Sequence, residues 1–244
     1  MKEFLKYVLA TVIGILTFAI VIGIISVISI MGMVASQEAT TVVKEKSVLV
    51  LPLSGIVTER SDGNPFGQMI GSAAESVGLD DMLYSINWAN SDVYIKVIYI
   101  EAGLFSPDSP ASCQALRNAL VDFKKSGKWI VAYGDQYTQS SYYVASVADE
   151  VLLNPYGTVD WHGLSAQPMF YRDLLAKVGV KMQIVKVGKF KSATEVFTED
   201  QMSDANRLQT SKYLTGIWNS IVGDVAASRK IPVAKLNEYA DSLV

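Results

Sequence analysis

Val187-Gly-Lys-Phe-Lys-Ser-Ala-Thr-Glu195 sets two lysines around one aromatic, directly after a glycine and before a serine, and closes on a carboxylate. Such a stretch can hold an amine and tune it. A lysine serves as a general base only as the neutral amine, which requires a pKa lowered from about 10.4 by burial or by a neighbouring cation. Residues two apart point the same way on an extended backbone, so Lys189 and Lys191 share a face. Lys191, beside Ser192 and after Phe190, is the candidate base, with Lys189 second. The same residues also read as a solvated basic turn.

Other chemistries find no support in the sequence. Gly188-Lys-Phe-Lys-Ser192 is superficially like a phosphate loop, but Phe190 stands where the glycine before the final Lys-Ser is required. There is no G-x-S-x-G elbow. A Ser-His-Asp triad would have to use His162, the single histidine, which sits in Val159-Asp-Trp-His-Gly163 and reads as a structural hydrogen-bonding residue. One histidine and one cysteine, Cys113, cannot build the usual three or four N/S ligands of a zinc site, so neither metal nor cofactor is expected. Cys113 cannot form an internal disulfide and reads as a small apolar helix residue. A net charge of −3 without a basic face argues against nucleic acid as a partner.

The elements that must position the lysines alternate. Ser47–Val57, Val93–Ile100, Trp129–Tyr133, Glu150–Leu153 and Lys181–Val187 read as strands. Helices are expected from Asp80, from Ser109-Pro110 to Gly127, over 140–148 and over 169–178. Strands alternating with helices imply an α/β fold with a parallel sheet. Thr58–Gly71 is glycine-rich and reads as a loop. Met202, Ala205, Leu208, Leu214, Ile217, Trp218, Ile221 and Val225 recur at spacings near 3 and 4, the stripe of a long helix that packs on the core or on another subunit.

No charged residue occurs between Lys6 and Glu38, and the apolar run from Val8 continues almost to Ala35. That exceeds the roughly 20 residues a bilayer core requires and the 7–15 of a signal-peptide core. Residues 1–36 therefore read as a cytoplasmic tip and an uncleaved transmembrane anchor, 37–46 as a stem, and 47–244 as the folded domain. Lys2 and Lys6 before the span keep the N-terminus in the cytoplasm, so the domain lies outside the cytoplasmic membrane.

Taken in order, Gly134-Asp-Gln-Tyr-Thr-Gln-Ser-Ser-Tyr-Tyr-Val-Ala-Ser146, Ala148-Asp-Glu-Val-Leu-Leu-Asn-Pro-Tyr-Gly157, His162-Gly163 and Val187–Glu195 resemble the amino-terminal half of the signal peptide peptidase A (protease IV) family. The resemblance implies a Clp-protease/crotonase-like superhelix of βαβ units on a membrane anchor. It implies a serine peptidase that degrades released signal peptides with a Ser-Lys dyad, as a homo-oligomer. In the long form the lysine of G-x-[YF]-K-S-A, here Lys191, lies in the first half and the serine in the second.

Two departures from the family pattern bear on activity. Gln139 occupies the serine position of the short-form Ala-Ser-Gly-Gly-Tyr-Tyr pattern, with Ser140 and Ser141 in place of its glycines. Pro107 lies in the region of the oxyanion-binding glycines and has no N–H to donate. The reading is a chain that supplies the lysine base to a serine-bearing second half. The alternatives are Ser140 as a displaced nucleophile, a non-catalytic membrane-anchored scaffold of the same fold, and, on fold analogy alone, acyl-thioester binding.

Overall fold

The computed structural model describes residues 2–37, 43–61 and 77–242. The chain divides into two compact units, residues 1–44 and 45–244. Half of the sequence-predicted stem, most of the loop from Thr58 to Gly71, and the last two residues lie outside the described residues.

The first unit is one helix, α1 (Lys2–Gln37). Its stretch Lys2–Gly32 contains an 18-residue window of mean hydropathy 2.9 and is long and apolar enough to cross a membrane. At 1.5 Å per residue its 31 residues extend about 46 Å, beyond a hydrocarbon core of about 30 Å. Its two threonine hydroxyls are satisfied within the helix: Thr11 donates to the Tyr7 carbonyl and Thr17 to the Ile13 carbonyl, each at 2.8 Å.

The second unit is α/β, the class read from the sequence. Its strands are β1 (Ser47–Thr58), β2 (Val77–Gly78), β3 (Ile95–Pro107), β4 (Trp129–Tyr137) and β5 (Glu150–Val159), all parallel, in the order β2-β1-β3-β4-β5. Parallel neighbours need crossovers. These are α2 (Leu79–Ser91), α3 (Pro110–Lys125) and α4 (Gln139–Ala145). Ile98 aligns with Leu49 and Ile130, and Ile100 with Leu51 and Ala132, so β3 lies at the centre of the core. Ile86 of α2, Leu116, Leu120 and Phe123 of α3, and Val144 of α4 are fully buried.

Local chemistry explains the helix ends. The Ser109 hydroxyl accepts the Ser112 N–H, Pro110 follows it, and Lys124 and Lys125 sit in the last turn of α3 before Gly127 takes a positive φ of 78°. The Thr138 hydroxyl accepts the Ser141 N–H at the start of α4. The Lys128 ammonium closes the end of α2 by donating to the Ala89, Asn90 and Asp92 carbonyls at 2.6–3.0 Å.

Beyond β5 come α5 (Arg172–Lys177), α6 (Glu195–Thr198), α7 (Asp204–Arg229) and α8 (Val233–Ser242). The helix expected over 169–178 is shorter because Gly179, at φ 76°, ends it. The strand expected at Lys181–Val187 does not form: the segment is irregular, with Val185 96% and Val187 84% exposed. A strand is stable only against a neighbour that takes its hydrogen bonds and one of its faces, and no described strand lies beside this segment. Only Ala205 and Val225 of the expected α7 stripe are buried, together with Val222, whereas Leu208 is 50% exposed. Trp218 is half-buried and donates to Asn237 of α8 at 2.8 Å.

Candidate functional site

The lysine stretch folds as two successive turns rather than as an extended strand. Gly188 adopts φ 102°, a backbone region that side-chain-bearing residues avoid, and its carbonyl accepts the Lys191 N–H at 3.4 Å. The Ser192 carbonyl then accepts the Glu195 N–H at 2.9 Å. The shared face expected for Lys189 and Lys191 is lost because the backbone turns between them. The Lys189 ammonium lies over the Phe190 ring, 6.0 Å from its centroid. Lys191 instead lines an open concavity of about 540 Å³, together with Val185, Val187, Phe190, Lys186 and Gln209. Its side chain is exposed and has no hydrogen-bond or ion-pair partner among the described residues.

Glu195 lies beneath this turn, only 3% exposed. Its carboxylate accepts the Ser203 hydroxyl at 2.7 Å, the Ser203 N–H at 3.2 Å and the Asn206 amide at 3.0 Å. Burial by itself would raise the carboxyl. The bonds from Ser203 and Asn206, aided by the Lys186 charge, outweigh it and hold Glu195 below its ordinary value. The Thr194 hydroxyl, which also faces the concavity, is buried without a partner.

The residues that could attack a carbonyl are otherwise engaged. The Gln139 carbonyl oxygen accepts the His162 N–H at 2.9 Å, a structural role for the residue at the family's serine position. Ser141 is fully buried, its hydroxyl donating to the Thr138 carbonyl at 3.0 Å. The Cys113 thiol near Ser140 is buried and pushed up to about 11, chiefly by burial, and is therefore no nucleophile. No hydrogen bond joins Ser140 or Ser141 to Lys191 among the described residues. His162 is tied locally, with Nδ1 2.8 Å from the Gly163 carbonyl and Nε2 3.4 Å from Asp160.

The segment expected to lack an oxyanion hole is part of the sheet. β3 continues to Pro107, pairing Phe105 with Gly55, Ser106 with Ile56 and Pro107 with Val57. Among the described residues no group of three or more His, Cys, Asp or Glu side chains could hold a metal.

Sequence reasoning missed two constellations. One is the Glu195–Ser203–Asn206 cluster. The other is Arg117, 4% exposed on the buried face of α3. Arg117 donates to the Tyr143 carbonyl and the Ser146 hydroxyl at 2.8 Å, and to the Asp224 carbonyl and Ser228 hydroxyl of α7. The Tyr143 hydroxyl donates to Asp224 at 2.6 Å. Burial pulls the guanidinium below its ordinary value, against the opposing effects of Tyr143 and Asp224. A lone arginine within the Cys113, Leu116, Leu120, Phe123 stripe was the one visible signal. Its partners on α7 lie more than 100 residues away, beyond any local pattern.

The fold and the site together define a class: a parallel α/β domain that presents a lysine at an open, partly apolar concavity. The sequence profile of peptidase family S49 matches residues 122–244, and the chain belongs to that family. It is 28% identical over 214 residues to Protease 4 of Haemophilus influenzae, covering 85% of this chain and 35% of that protein. It is 31% identical over 207 residues to Protease 4 of Salmonella typhi, covering 82% and 34%. The chain thus spans about a third of the length of these relatives. Among solved structures, an enoyl-CoA hydratase/isomerase family protein from Silicibacter pomeroyi aligns over 82% of this chain and 94% of its own, at 12% identity and a TM-score of 0.34.

Proposed function

We propose that this chain is the lysine-bearing part of a membrane-anchored serine endopeptidase that degrades signal peptides after their release. Lys191 is its general base, and a serine-bearing second half or another subunit of a homo-oligomer supplies the nucleophile. Residues 1–36 anchor it in the cytoplasmic membrane with the N-terminus inside, 37–46 form the stem, and 47–244 form the extracytoplasmic domain.

The observation that carries this reading is Lys191 at the rim of an open concavity, while Gln139 and Ser141 are held elsewhere. A lysine base works as the neutral amine, a form favoured by burial and by nearby positive charge. Lys186 lines the same concavity, and the domain that docks over the opening provides the burial. The incoming serine hydroxyl must come within about 3 Å of the Lys191 amine. The lysine then takes the hydroxyl proton as the serine oxygen bonds to the peptide carbonyl carbon. The C–N bond breaks, the departing amine receives that proton, and an acyl-serine ester remains. Water, losing a proton to Lys191, attacks the ester and releases the carboxylic acid and the serine. Val185, Val187 and Phe190 give the concavity an apolar wall suited to extended apolar peptides.

The test is Lys191→Ala in the assembled enzyme: peptide hydrolysis is abolished while assembly is kept, and near-normal turnover would sink the assignment. The 244-residue chain alone neither hydrolyses peptides nor labels with a serine-directed probe. Labelling that disappears with Ser140→Ala would instead establish a displaced nucleophile.

A further inference from the structure

We infer that Glu195 is a positioning residue for Lys191, fixing the turn that carries the lysine onto the amino end of α7. The inference rests on the reading of Lys191 as the base.

Upstream of the turn, residues 181–187 take no part in the sheet and expose Val185 and Val187 almost fully, so they do not fix the position of Lys191. Downstream, the bonds from Gly188 to Lys191 and from Ser192 to Glu195 close two turns that abut, with no free residue between them. The orientation of Lys191 therefore follows that of Glu195.

Glu195 is bound at three points. Its carboxylate takes the Ser203 N–H, the Ser203 hydroxyl and the Asn206 amide. Ser203 is also the cap of α7, its hydroxyl accepting the Asn206 N–H at 3.2 Å. An ordinary capping box draws its carboxylate from the third residue of the helix. Here Asn206 holds that position, and the carboxylate arrives from the lysine turn, eight residues before the cap. A negative charge at a helix amino end is also favoured by the helix dipole.

The other end of α7 is fixed to the sheet layer. Arg117 and Tyr143 grip Asp224 and Ser228, about 30 Å along the helix from Asp204 at 1.5 Å per residue. The path from sheet to lysine thus runs through Arg117, the length of α7, Ser203 and Asn206, and finally Glu195. All three bonds to the carboxylate come from the amino end of α7, from its cap Ser203 and from Asn206.

The test measures kcat and KM for an apolar peptide in the assembled peptidase, with Lys191→Ala as control. Glu195→Ala is expected to lower kcat about 100-fold, the scale of a misplaced catalytic group, with KM changed less than threefold. Glu195→Gln, which keeps the shape and an accepting oxygen, restores kcat to within about tenfold of the parent. If Glu195→Ala does not fold, the double variant Ser203→Ala/Asn206→Ala, which removes the two side-chain donors and leaves only the backbone N–H at position 203, is judged by the same criteria. A kcat within threefold of the parent beside an inactive Lys191→Ala overturns the inference and leaves the reading of Lys191 standing. Equal losses for the Ala and Gln variants also overturn it, by assigning the effect to charge. Activity retained in Lys191→Ala overturns the reading and the inference together.

Discussion

At the residue scale, two buried charged groups organise this domain, and each predicts a measurable effect. From α3, Arg117 satisfies acceptors on α4, its capping Ser146 and α7 at once. Arg117→Met leaves two carbonyls and two hydroxyls without their donor, and a loss of about 3 kcal/mol is expected. The denaturant midpoint of the detergent-solubilised chain checks it. Glu195 predicts a pH effect of definite sign. Its folded-state pKa lies below its ordinary value of 4.5, so its contribution is present in full above that value and is lost as pH falls through the lower, folded one. The stability of the parent should therefore drop more steeply below about pH 4.5 than that of Glu195→Gln, as read by denaturant titrations across that range. Neither group's role was legible in the sequence. Glu195 was visible only as the end of a motif, and the partners of Arg117 are distant along the chain.

At the element scale, legibility followed the origin of each element's stability. The helix α3 announced itself through Ser109-Pro110, because caps are local chemistry, whereas the Thr138 cap of α4 emerged only in the structure. Ser109→Ala should cost about 1 kcal/mol in thermal or chemical denaturation. The strands β3, β4 and β5 ran longer than their apolar runs suggested, since strand length is set by the neighbour and not by the strand itself. Residues 181–187 show the converse: strand-forming composition with no described neighbour yields irregular chain. The turn that follows depends on one backbone angle. Gly188→Val forces a β-branched residue to φ 102° and should cost about 1–3 kcal/mol or unwind the turn. In the assembled peptidase it should lower kcat, and unchanged kcat would detach the turn from catalysis.

At the scale of the whole molecule, the two units separate the question of location from that of chemistry. The hydropathy of α1 was fully legible, because bilayer crossing depends on length and composition alone. Removing residues 1–44 should leave the second unit folded and free of lipid vesicles in a flotation assay, whereas the full chain floats with them. The α/β class was equally legible from the alternation of strands and helices. The motif singled out Lys191 as a candidate, while its separation from Ser140 and Ser141 required three dimensions.

The grip of Arg117 on α7 also has a consequence in time. Asp224 and Ser228 are separated from Arg117 by 107 and 111 positions. At 5–20 residues per second, a ribosome needs roughly 5 to 20 s to make that stretch. During this interval α1 can already occupy the membrane, while α3 and α4 carry a cation whose distal partners do not yet exist. The sheet layer therefore closes only after α7 has been made. A ribosome-bound chain stopped at residue 200 should be cut by protease within α3, at a site that is sealed once α7 has folded onto it.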